Sequence, residues 1–536
     1  MKKLFAVGVL AVALSSTAMA REAGHSLLQV QLSPSLTEAA SGRLLVFAQP
    51  LEAAKTAAKD KPITKVDTDL LNVEATNIAA KDIVRIAPGE TVEIDLDGIT
   101  FPGPFSKLAP GSYVLQAVLD VGQPYTYGGR GDGDLVSKVV EIKLPLEDAK
   151  PVVLEEKQKP FDLWSLPAPM ISDKLRADWA DAKSSVERVD FTSNALSKFW
   201  GRPMKMRALV VLPPGYAGDA KRSYPTVWYT HGFGGDVEKL QSVAAQRYAA
   251  MRDGKAPKMI WVLLDQSSPS GPHEFVDSVN NGPYETAFVT ELLPALEAKY
   301  RMDAKPNGRF LNGHSSGGWA TLWLMVTQPK LFGGTWSTSP DPVDFHDFTG
   351  ADLTNGENFY RKNDGTLRPL VRMTDKDGND TVVASLRSFT LYEETLADHG
   401  GQMRAFEWVF SPRDSDGRPQ QLFNRASGDV NPLVAAHWRA NYDIARLVET
   451  RWPQLKKDLD GKVHVIVGTK DTFYLDGAVH RLDAVMQSLG AKADFRYLPG
   501  KNHFDLYKKG DDGSALLNDF AWEMYVIARP KEKRPS

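Results

Sequence analysis

Up to about residue 146, apolar and polar residues alternate along short runs, which end at turn signals such as Pro88-Gly89 and Pro110-Gly111. Alternation with this period is typical of strands that bury one face, and closely spaced turns join such strands into antiparallel sheets. Residues 21–146 are therefore predicted to form a small β-domain with a sandwich-like architecture. The clearest alternating runs are 27–32, 43–48, 91–96 and 113–118.

From residue 191 to residue 536, strand-like apolar runs alternate with helix-like stretches. In the stretch 285–300, apolar residues recur every four positions at Phe288, Leu292, Leu296 and Tyr300, which predicts an amphipathic helix. Strands that alternate with helices predict an α/β domain whose mostly parallel sheet is covered on both faces. Such sheets carry their sites at the carboxyl ends of the strands. The strand-like runs are 208–212, 226–230, 259–264, 309–312, 335–339, 463–467 and 494–498.

Two stretches interrupt this organisation. Residues 147–190 begin with the proline- and charge-bearing segment "EDAKPVVLEEKQKP", which predicts a linker between the two domains. About 120 residues, roughly 340–462, separate the strand-like run at 335–339 from the next one. A connection of this length with helix-like segments of its own predicts an inserted subdomain or a lid over the site.

Residues 1–20 have the three parts of a secretory signal peptide. Lys2 and Lys3 precede an apolar run, and the stretch ends in small residues around Ala18 and Ala20. The apolar run is shorter than the ~20 residues that a spanning helix needs. We therefore expect export to the periplasm or beyond, with cleavage after residue 20 and no stable membrane anchor afterwards.

Composition narrows the classes of function. A chain of 536 residues is expected to form two or three folded units. Its net charge of -3, from 64 basic and 67 acidic residues, provides no broad positive surface for nucleic acid. It contains no cysteine, so disulfides, thiolate metal ligands and cysteine nucleophiles are excluded.

Residues 313–317 read "GHSSG" and lie between the strand-like run at 309–312 and an apolar helix-like run. They match the nucleophile-elbow pattern G-x-S-x-G, in the strand-to-helix context that this motif requires. The elbow needs glycines because the turn is sharp and its backbone passes close to neighbouring strands. Ser315 is the central serine and hence the candidate nucleophile.

A second glycine-rich loop, "HGFGG" at 231–235, follows the strand-like run at 226–230. Loops in this place contribute a backbone amide to the oxyanion hole of serine hydrolases. The predicted donors are the amides of Phe233 and of Ser316, the residue after the nucleophile.

An acid and a base follow in the chain. Asp471 follows the strand-like run at 463–467, and Asp476 is the reserve candidate for the same role. His503 follows the last strand-like run. A neutral imidazole can accept the proton of a serine hydroxyl near pH 7, and a carboxylate on its other nitrogen fixes the tautomer. The order Ser315, Asp471, His503 is that of the α/β-hydrolases.

Several segments together resemble a known esterase family. They are "VVLPPGYAGDAKRSYPTVWYTHGFGG", "GPYETAFVTELLPALEAKYR", "NGHSSGGWATL", "VGTKDTFYLDGAVHRL" and "GKNH". They are similar to the family that includes esterase D, enterochelin esterases, feruloyl esterases and mycolyltransferases, over roughly residues 207–507 except the insert. The resemblance implies an α/β-hydrolase fold and ester hydrolysis by a triad of Ser315, Asp471 and His503. Substrates in this family vary too widely to be transferred.

The sequence thus predicts an exported serine hydrolase that cleaves small-molecule or glycan-linked esters, without cofactor or metal. Two other interpretations stay open: a serine peptidase with the same triad, and a non-catalytic binding protein on the same scaffold. The Asp- and Gly-rich runs of the insert predict solvated turns, with structural calcium as the alternative. The sequence does not indicate an oligomeric state.

Overall fold

The computed structural model describes residues 25–59, 61–122, 129–146, 149–168, 170–397 and 401–532, so the predicted signal peptide at 1–20 lies outside the described residues. The strands are β1 Leu27–Leu32, β2 Ala40–Pro50, β3 Asn77–Ile86, β4 Thr91–Asp95, β5 Ile99–Phe101, β6 Gly111–Asp120, β7 Leu135–Ser137, β8 Val140–Leu144, β9 Val152–Lys157, β10 Val186–Ser193, β11 Met204–Val211, β12 Thr226–Thr230, β13 Ile260–Leu264, β14 Asp277–Ser278, β15 Gly282–Pro283, β16 Arg309–His314, β17 Gly334–Thr338, β18 Pro369–Thr374, β19 Asp380–Ser385, β20 Val463–Gly468 and β21 Ala493–Leu498.

Helices connect and cover these strands. None of the helices among the described residues has the length and apolar character needed to cross a membrane. The α-helices are α1 Leu51–Ala58, α2 Asp173–Ala182, α3 Asn194–Trp200, α4 Leu240–Arg252, α5 Tyr284–Ala287, α6 Leu293–Lys299, α7 Ser316–Thr327, α8 Leu386–Leu396, α9 Gln402–Phe410, α10 Pro432–Tyr442, α11 Ile444–Leu459, α12 Asp476–Ser488 and α13 Ala515–Ala528. A π-helical turn, Phe288–Leu292, joins α5 to α6. Short 3₁₀ turns are Val73–Ala75, Phe105–Lys107, Leu163–Ser165, Lys183–Ser185, Tyr216–Gly218 and Pro306–Gly308.

Strands β1 to β9 form the N-terminal sheet, in the order β4-β1-β9-β7-β6-β2-β3-β5, with β8 also paired to β6. Its pairs are antiparallel except β1 with β9. The described strands of this domain are hydrogen-bonded into one connected sheet, so the sandwich-like architecture stays a prediction. Strand β6 pairs with β8 along its first half and with β7 along its second half.

Both faces of the N-terminal sheet are buried around β2. Leu44 and Val46 point into the domain's own core, whereas Leu45 and Phe47 belong to the apolar cluster that continues into the rest of the protein. Successive residues of a strand point to opposite faces, so this division follows directly from the pleat. The N-terminal sheet is therefore packed against the remainder of the chain and does not stand apart from it.

The predicted linker at 147–190 also needs correction. Strand β9 lies in it and joins the N-terminal sheet, with Val152 and Leu154 buried and the following glutamates more exposed. Helix α2 packs against α4, and β10 pairs antiparallel with β11. Three of the charged residues that suggested a linker, Glu155, Glu156 and Lys157, lie on β9, and the last two are exposed.

The second sheet has the order β10-β11-β13-β12-β16-β17-β20-β21. Its first two pairings are antiparallel and the other five are parallel. Trp228 and Val262 face a core shared with α7, while Val227 and Trp261 face a core shared with α4 and α13. The sheet is thus covered on both faces, and its parallel strands end at one edge.

The insert, residues 340–462, forms the hairpin β18–β19 and helices α8 to α11. Its helix α8 contacts strands β3 and β5 of the N-terminal sheet. Arg43 on β2 is buried and donates from Nε to the carbonyl of Thr395 and from Nη2 to that of Glu394, both at 2.9 Å. These bonds satisfy the carboxyl end of α8 and fix the insert to the N-terminal sheet.

Candidate active site

Ser315 occupies a strained turn between β16 and α7. Its backbone angles are φ 59° and ψ -126°, a region that non-glycine residues rarely adopt. A Cβ on Gly313 would lie 2.0 Å from the carbonyl oxygen of Gly317, and one on Gly317 would lie 2.3 Å from that of Thr230. Both glycines are therefore required by close backbone approach, as in a nucleophile elbow.

The structure brings His503 and Asp471 together at the ends of neighbouring strands. His503 Nδ1 lies 2.9 Å from Asp471 Oδ2, and both side chains are buried. Burial alone would raise the pKa of Asp471. The nearby charge of His503 and the hydrogen bonds from His503 and the Phe473 amide outweigh burial and hold this pKa below its usual value. Asp471 is therefore ionised at neutral pH and orients the imidazole.

Asp476, the reserve acid, lies elsewhere. It begins helix α12, and its Oδ1 is 3.6 Å from Nη2 of Arg372. The turn after β20 separates the two aspartates, with Asp471 at the strand end and Asp476 on the helix. Of the two predicted acids, Asp471 is the one in contact with His503.

Ser315 and His503 line a common cavity of about 280 Å³. The 231–235 loop forms part of its wall, and Phe233 lines it. A Cβ on Gly232 would lie 2.9 Å from the Cβ of Ser315, so the loop runs directly against Ser315. Nδ1 of His231 lies 2.7 Å from the Gly232 carbonyl oxygen, and its Nε2 lies 3.1 Å from Oδ1 of Asp265, which anchors the loop from behind.

Ser316 is the first residue of α7, where a backbone amide has no partner within the helix. Its side chain is fully buried and does not take part in lining the cavity. The amide is thus placed beside Ser315 at the positive end of a helix, where a developing negative charge is stabilised.

Asp341 is a site residue that the sequence analysis missed. Its Oδ2 accepts hydrogen bonds from the Ser316 hydroxyl at 2.7 Å and from Nε2 of Gln402 at 3.1 Å, and Ser315 Oγ lies 3.4 Å from its Oδ1. The sequence indicated only its place, because Asp341 follows β17 at the same edge of the sheet as Asp471 follows β20. Asp341 was overlooked because nothing in the sequence shows that its carboxyl group turns towards the elbow.

A second buried carboxyl group, that of Glu274, lies close to Asp341. Glu274 has a backbone φ of 53°, another strained non-glycine position. Burial raises its pKa well above the usual value, and the negative charge of Asp341 raises it further. Burial likewise raises the pKa of Asp341 to about 6, against the opposing hydrogen bond from Ser316. With a pKa of about 6, Asp341 is mostly ionised at neutral pH.

The raised pKa of Asp341 predicts an effect on stability. Folding favours the protonated carboxyl, so this group lowers the free energy of unfolding as pH rises from about 4 to about 6, and the cost persists above that range. Asp341→Asn stays neutral. The free energy of unfolding of Asp341→Asn minus that of wild type is therefore expected to increase by roughly 2–3 kcal/mol from pH 4 to pH 7. One pKa unit corresponds to about 1.4 kcal/mol.

Urea unfolding of both proteins at several pH values measures this difference. The other ionisable groups around Asp341 are Glu274, His503 and Asp471. Glu274→Gln is the matched control, because it removes the neighbouring carboxyl and keeps Asp341. Parallel stability profiles for wild type and Asp341→Asn would contradict the assignment of the raised pKa to Asp341.

Two groups of described side chains could offer three ligands to a metal ion: His25, Asp95 and Asp97 on the N-terminal sheet, and Asp344, His346 and Asp443 in the insert. In the second group, His346 Nδ1 lies 2.7 Å from Asp344 Oδ1, and Asp443 accepts the amides of Phe345 and Arg446. These contacts are those of a turn, between Asp344 and His346, and of a helix N-cap, at Asp443. They account for the proximity of the three side chains without a metal ion.

The fold and the site define a serine-hydrolase-like α/β protein, and the comparisons place it in a family. The family described as "Putative esterase" matches residues 201–514, more than half of the chain. The chain belongs to this esterase family, which confirms the resemblance seen in its motifs. The match covers β11 to β21, the insert and the elbow; the N-terminal sheet lies outside it.

Curated relatives match over a shorter length. Esterase MT1326 and Esterase Rv1288, both from Mycobacterium tuberculosis, are each 32% identical to this chain over 115 residues. That segment is 21% of this chain and 24% of each relative. The similarity thus spans about a quarter of the length of these relatives.

Solved structures of hydrolases align with about two thirds of the chain at low identity. A ferulic acid esterase from Anaeromyces mucronatus is 14% identical and covers 63% of this chain and 89% of its own, with a TM-score of 0.33. Fluorophosphonate-binding serine hydrolase F of Staphylococcus aureus is 13% identical, with coverages of 64% and 98% and a TM-score of 0.37. An S-formylglutathione hydrolase from Agrobacterium tumefaciens is 14% identical, with coverages of 64% and 94% and a TM-score of 0.35.

Proposed function

We propose that this protein is a serine hydrolase that cleaves carboxylic esters. The observation that carries the proposal is that Ser315, on a strained elbow, shares one cavity with His503, whose imidazole is held by the buried carboxylate of Asp471. A serine hydroxyl becomes a nucleophile when such a base accepts its proton. Membership of the esterase family supports esters as the substrates.

In the proposed reaction, Ser315 Oγ attacks the ester carbonyl carbon while Nε2 of His503 accepts its proton. The tetrahedral intermediate collapses, the bond to the alcohol oxygen breaks, and His503 returns the proton to the departing alcohol. Water, deprotonated by the same imidazole, then attacks the acyl group on Ser315. The carboxylic acid leaves and the serine is restored. Asp471 keeps the proton of Nδ1 in place and stabilises the imidazolium.

The oxyanion of each tetrahedral intermediate is proposed to bind the amides of Phe233 and Ser316. Two observations support this pair: the loop that carries Phe233 contacts Ser315 through Gly232, and the Ser316 amide opens helix α7 beside the nucleophile. Donors that are already oriented before the reaction stabilise developing charge without reorganisation.

We also propose that the enzyme acts outside the cytoplasm. The support is the sequence of residues 1–20, with its basic start, apolar run and small residues before the cleavage position.

An ester and an anilide with the same acyl group test the proposed reaction. With p-nitrophenyl N-acetylglycinate and N-acetylglycine p-nitroanilide, we expect the ester to be hydrolysed and the anilide to be left intact, because the amide carbonyl is less electrophilic and its amine is a poorer leaving group. The release of p-nitrophenol and p-nitroaniline is followed by absorbance.

Each other result of this comparison identifies one of the alternatives. Hydrolysis of the anilide that is lost in Ser315→Ala would favour a peptidase over an esterase. No turnover of either compound, together with no covalent adduct after exposure to a fluorophosphonate, would favour a binding protein.

A further inference from the structure

The cavity at Ser315 includes a residue from outside the hydrolase region. Leu70 lines it, and it lies in the segment between α1 and β3 of the N-terminal domain. The other described residues that line the cavity come from position 232 onward. The N-terminal domain therefore reaches the site at which the proposed reaction takes place.

The segment that carries Leu70 is held at several points. The amide of Val66 donates to Oε1 of Gln116 on β6 at 2.8 Å, and Oγ1 of Thr76 donates to the carbonyl of Asp67 at 2.9 Å. The side chain of Asp69 accepts the amide of Leu71 at 2.9 Å. Both ends of the segment are thus bonded to the N-terminal sheet or to each other, and Leu70 has a defined position.

The docking of the N-terminal sheet onto helix α8 places Leu70 beside the insert. The buried bonds of Arg43 to the end of α8 are one part of this contact, and an edge-to-face pair of Phe101 and Tyr392, with centroids 5.5 Å apart, is another. The same helix contributes Phe389 to the cavity. One interface therefore fixes two walls of the cavity at once.

The walls beside Leu70 are mostly apolar. The insert contributes Leu370, Phe389, Met403 and Phe406. A volume of about 280 Å³ lies just below the range of about 300–1,000 Å³ that is typical of small-molecule sites. An apolar lining of this size matches a short or medium apolar acyl group and not a long lipid chain or a peptide.

We propose that the N-terminal domain is a specificity element of the esterase, in which Leu70 closes the acyl-binding part of the cavity against the insert. The substrates are then esters whose acyl group is apolar and of short to medium length. This inference rests on the proposed ester hydrolysis and adds to it the class of acyl group and the residue that limits its length.

Substitutions at Leu70 test the inference with p-nitrophenyl acetate, butanoate, octanoate and dodecanoate as substrates. Leu70→Trp is expected to lower the octanoate-to-acetate ratio of kcat/KM by roughly tenfold or more, because one or two methylenes of lost room have effects of this order. Leu70→Ala is expected to raise the dodecanoate-to-butanoate ratio by a similar factor. Leu71→Ala is the matched control: Leu71 is the exposed neighbour, does not line the cavity, and is expected to leave both ratios unchanged.

The two proposals fail in different ways. Unchanged ratios in both Leu70 variants, with an active wild type, would overturn the specificity role even if the variants melt at lower temperature. A wild type that hydrolyses none of the esters and forms no fluorophosphonate adduct would overturn the esterase itself. If Leu70→Trp does not fold, Leu70→Ala tests the inference alone. Its predicted result, a higher dodecanoate-to-butanoate ratio of kcat/KM, is a gain that a partly unfolded protein would not produce.

Discussion

Replacement of Ser315 by alanine is expected to lower kcat for ester hydrolysis by at least about a thousandfold while the fold is retained. The substitution removes only Oγ, and the turn keeps its glycines at 313 and 317, whose close approaches set the backbone. His503 and Asp471 keep their 2.9 Å contact because neither depends on the serine side chain. The remaining activity would come from binding and oxyanion stabilisation alone.

Intact-mass analysis after labelling with a fluorophosphonate measures the loss of the nucleophile directly. We expect one adduct on wild type and none on Ser315→Ala. Ser316→Ala is the matched control, because the proposal uses only the backbone amide of Ser316, so this variant is expected to retain a labelled nucleophile. An adduct that persists in Ser315→Ala and disappears in Ser316→Ala would show that Ser316 is the nucleophile and would contradict the proposal.

Asp471→Asn is expected to lower kcat by about three to four orders of magnitude, since an asparagine beside the imidazole favours the wrong tautomer of the base. The change is nearly isosteric, and the amide oxygen can still accept the backbone bond from Phe473. The matched control is Asp476→Asn, which removes a carboxylate five residues away that lies against Arg372. We expect this control to stay within roughly tenfold of wild type.

Steady-state kinetics on one ester, with circular dichroism to verify folding, measures both variants. The comparison separates the two candidate acids without a structure of either variant. A larger loss in Asp476→Asn than in Asp471→Asn would reject the assignment of the acid.

The strands at the centre of the second sheet were predictable because nearly every residue in them is buried. The run 226–230 coincides with β12, and 463–467 lies within β20. Continuous apolar runs bounded by turn residues are the signature of such strands. Strand β10 was missed for the opposite reason. It lies at the edge of the sheet and has several exposed polar residues, so its sequence resembles that of a charged linker.

The elbow was equally accessible to sequence reasoning, because its glycines, its serine and the strand and helix on either side all lie in one short segment. Asp341 and Leu70 were not. Asp341 meets Gln402 across 61 positions, and Leu70 meets the catalytic cavity from another domain. Contacts of this kind depend on how the insert and the N-terminal sheet dock, and local period and spacing contain no information about docking.

The second buried face of the N-terminal sheet links the stability of the two regions. Phe47 on β2 belongs to the same apolar cluster as Trp319, which lies one turn along α7 from the nucleophile. Residue 146 is the predicted end of the N-terminal domain in the sequence, but the apolar core contains residues from both sides of it. Melting of the first sheet would expose apolar side chains on both sides of the interface, so we expect it to destabilise the helix that begins at Ser316 as well.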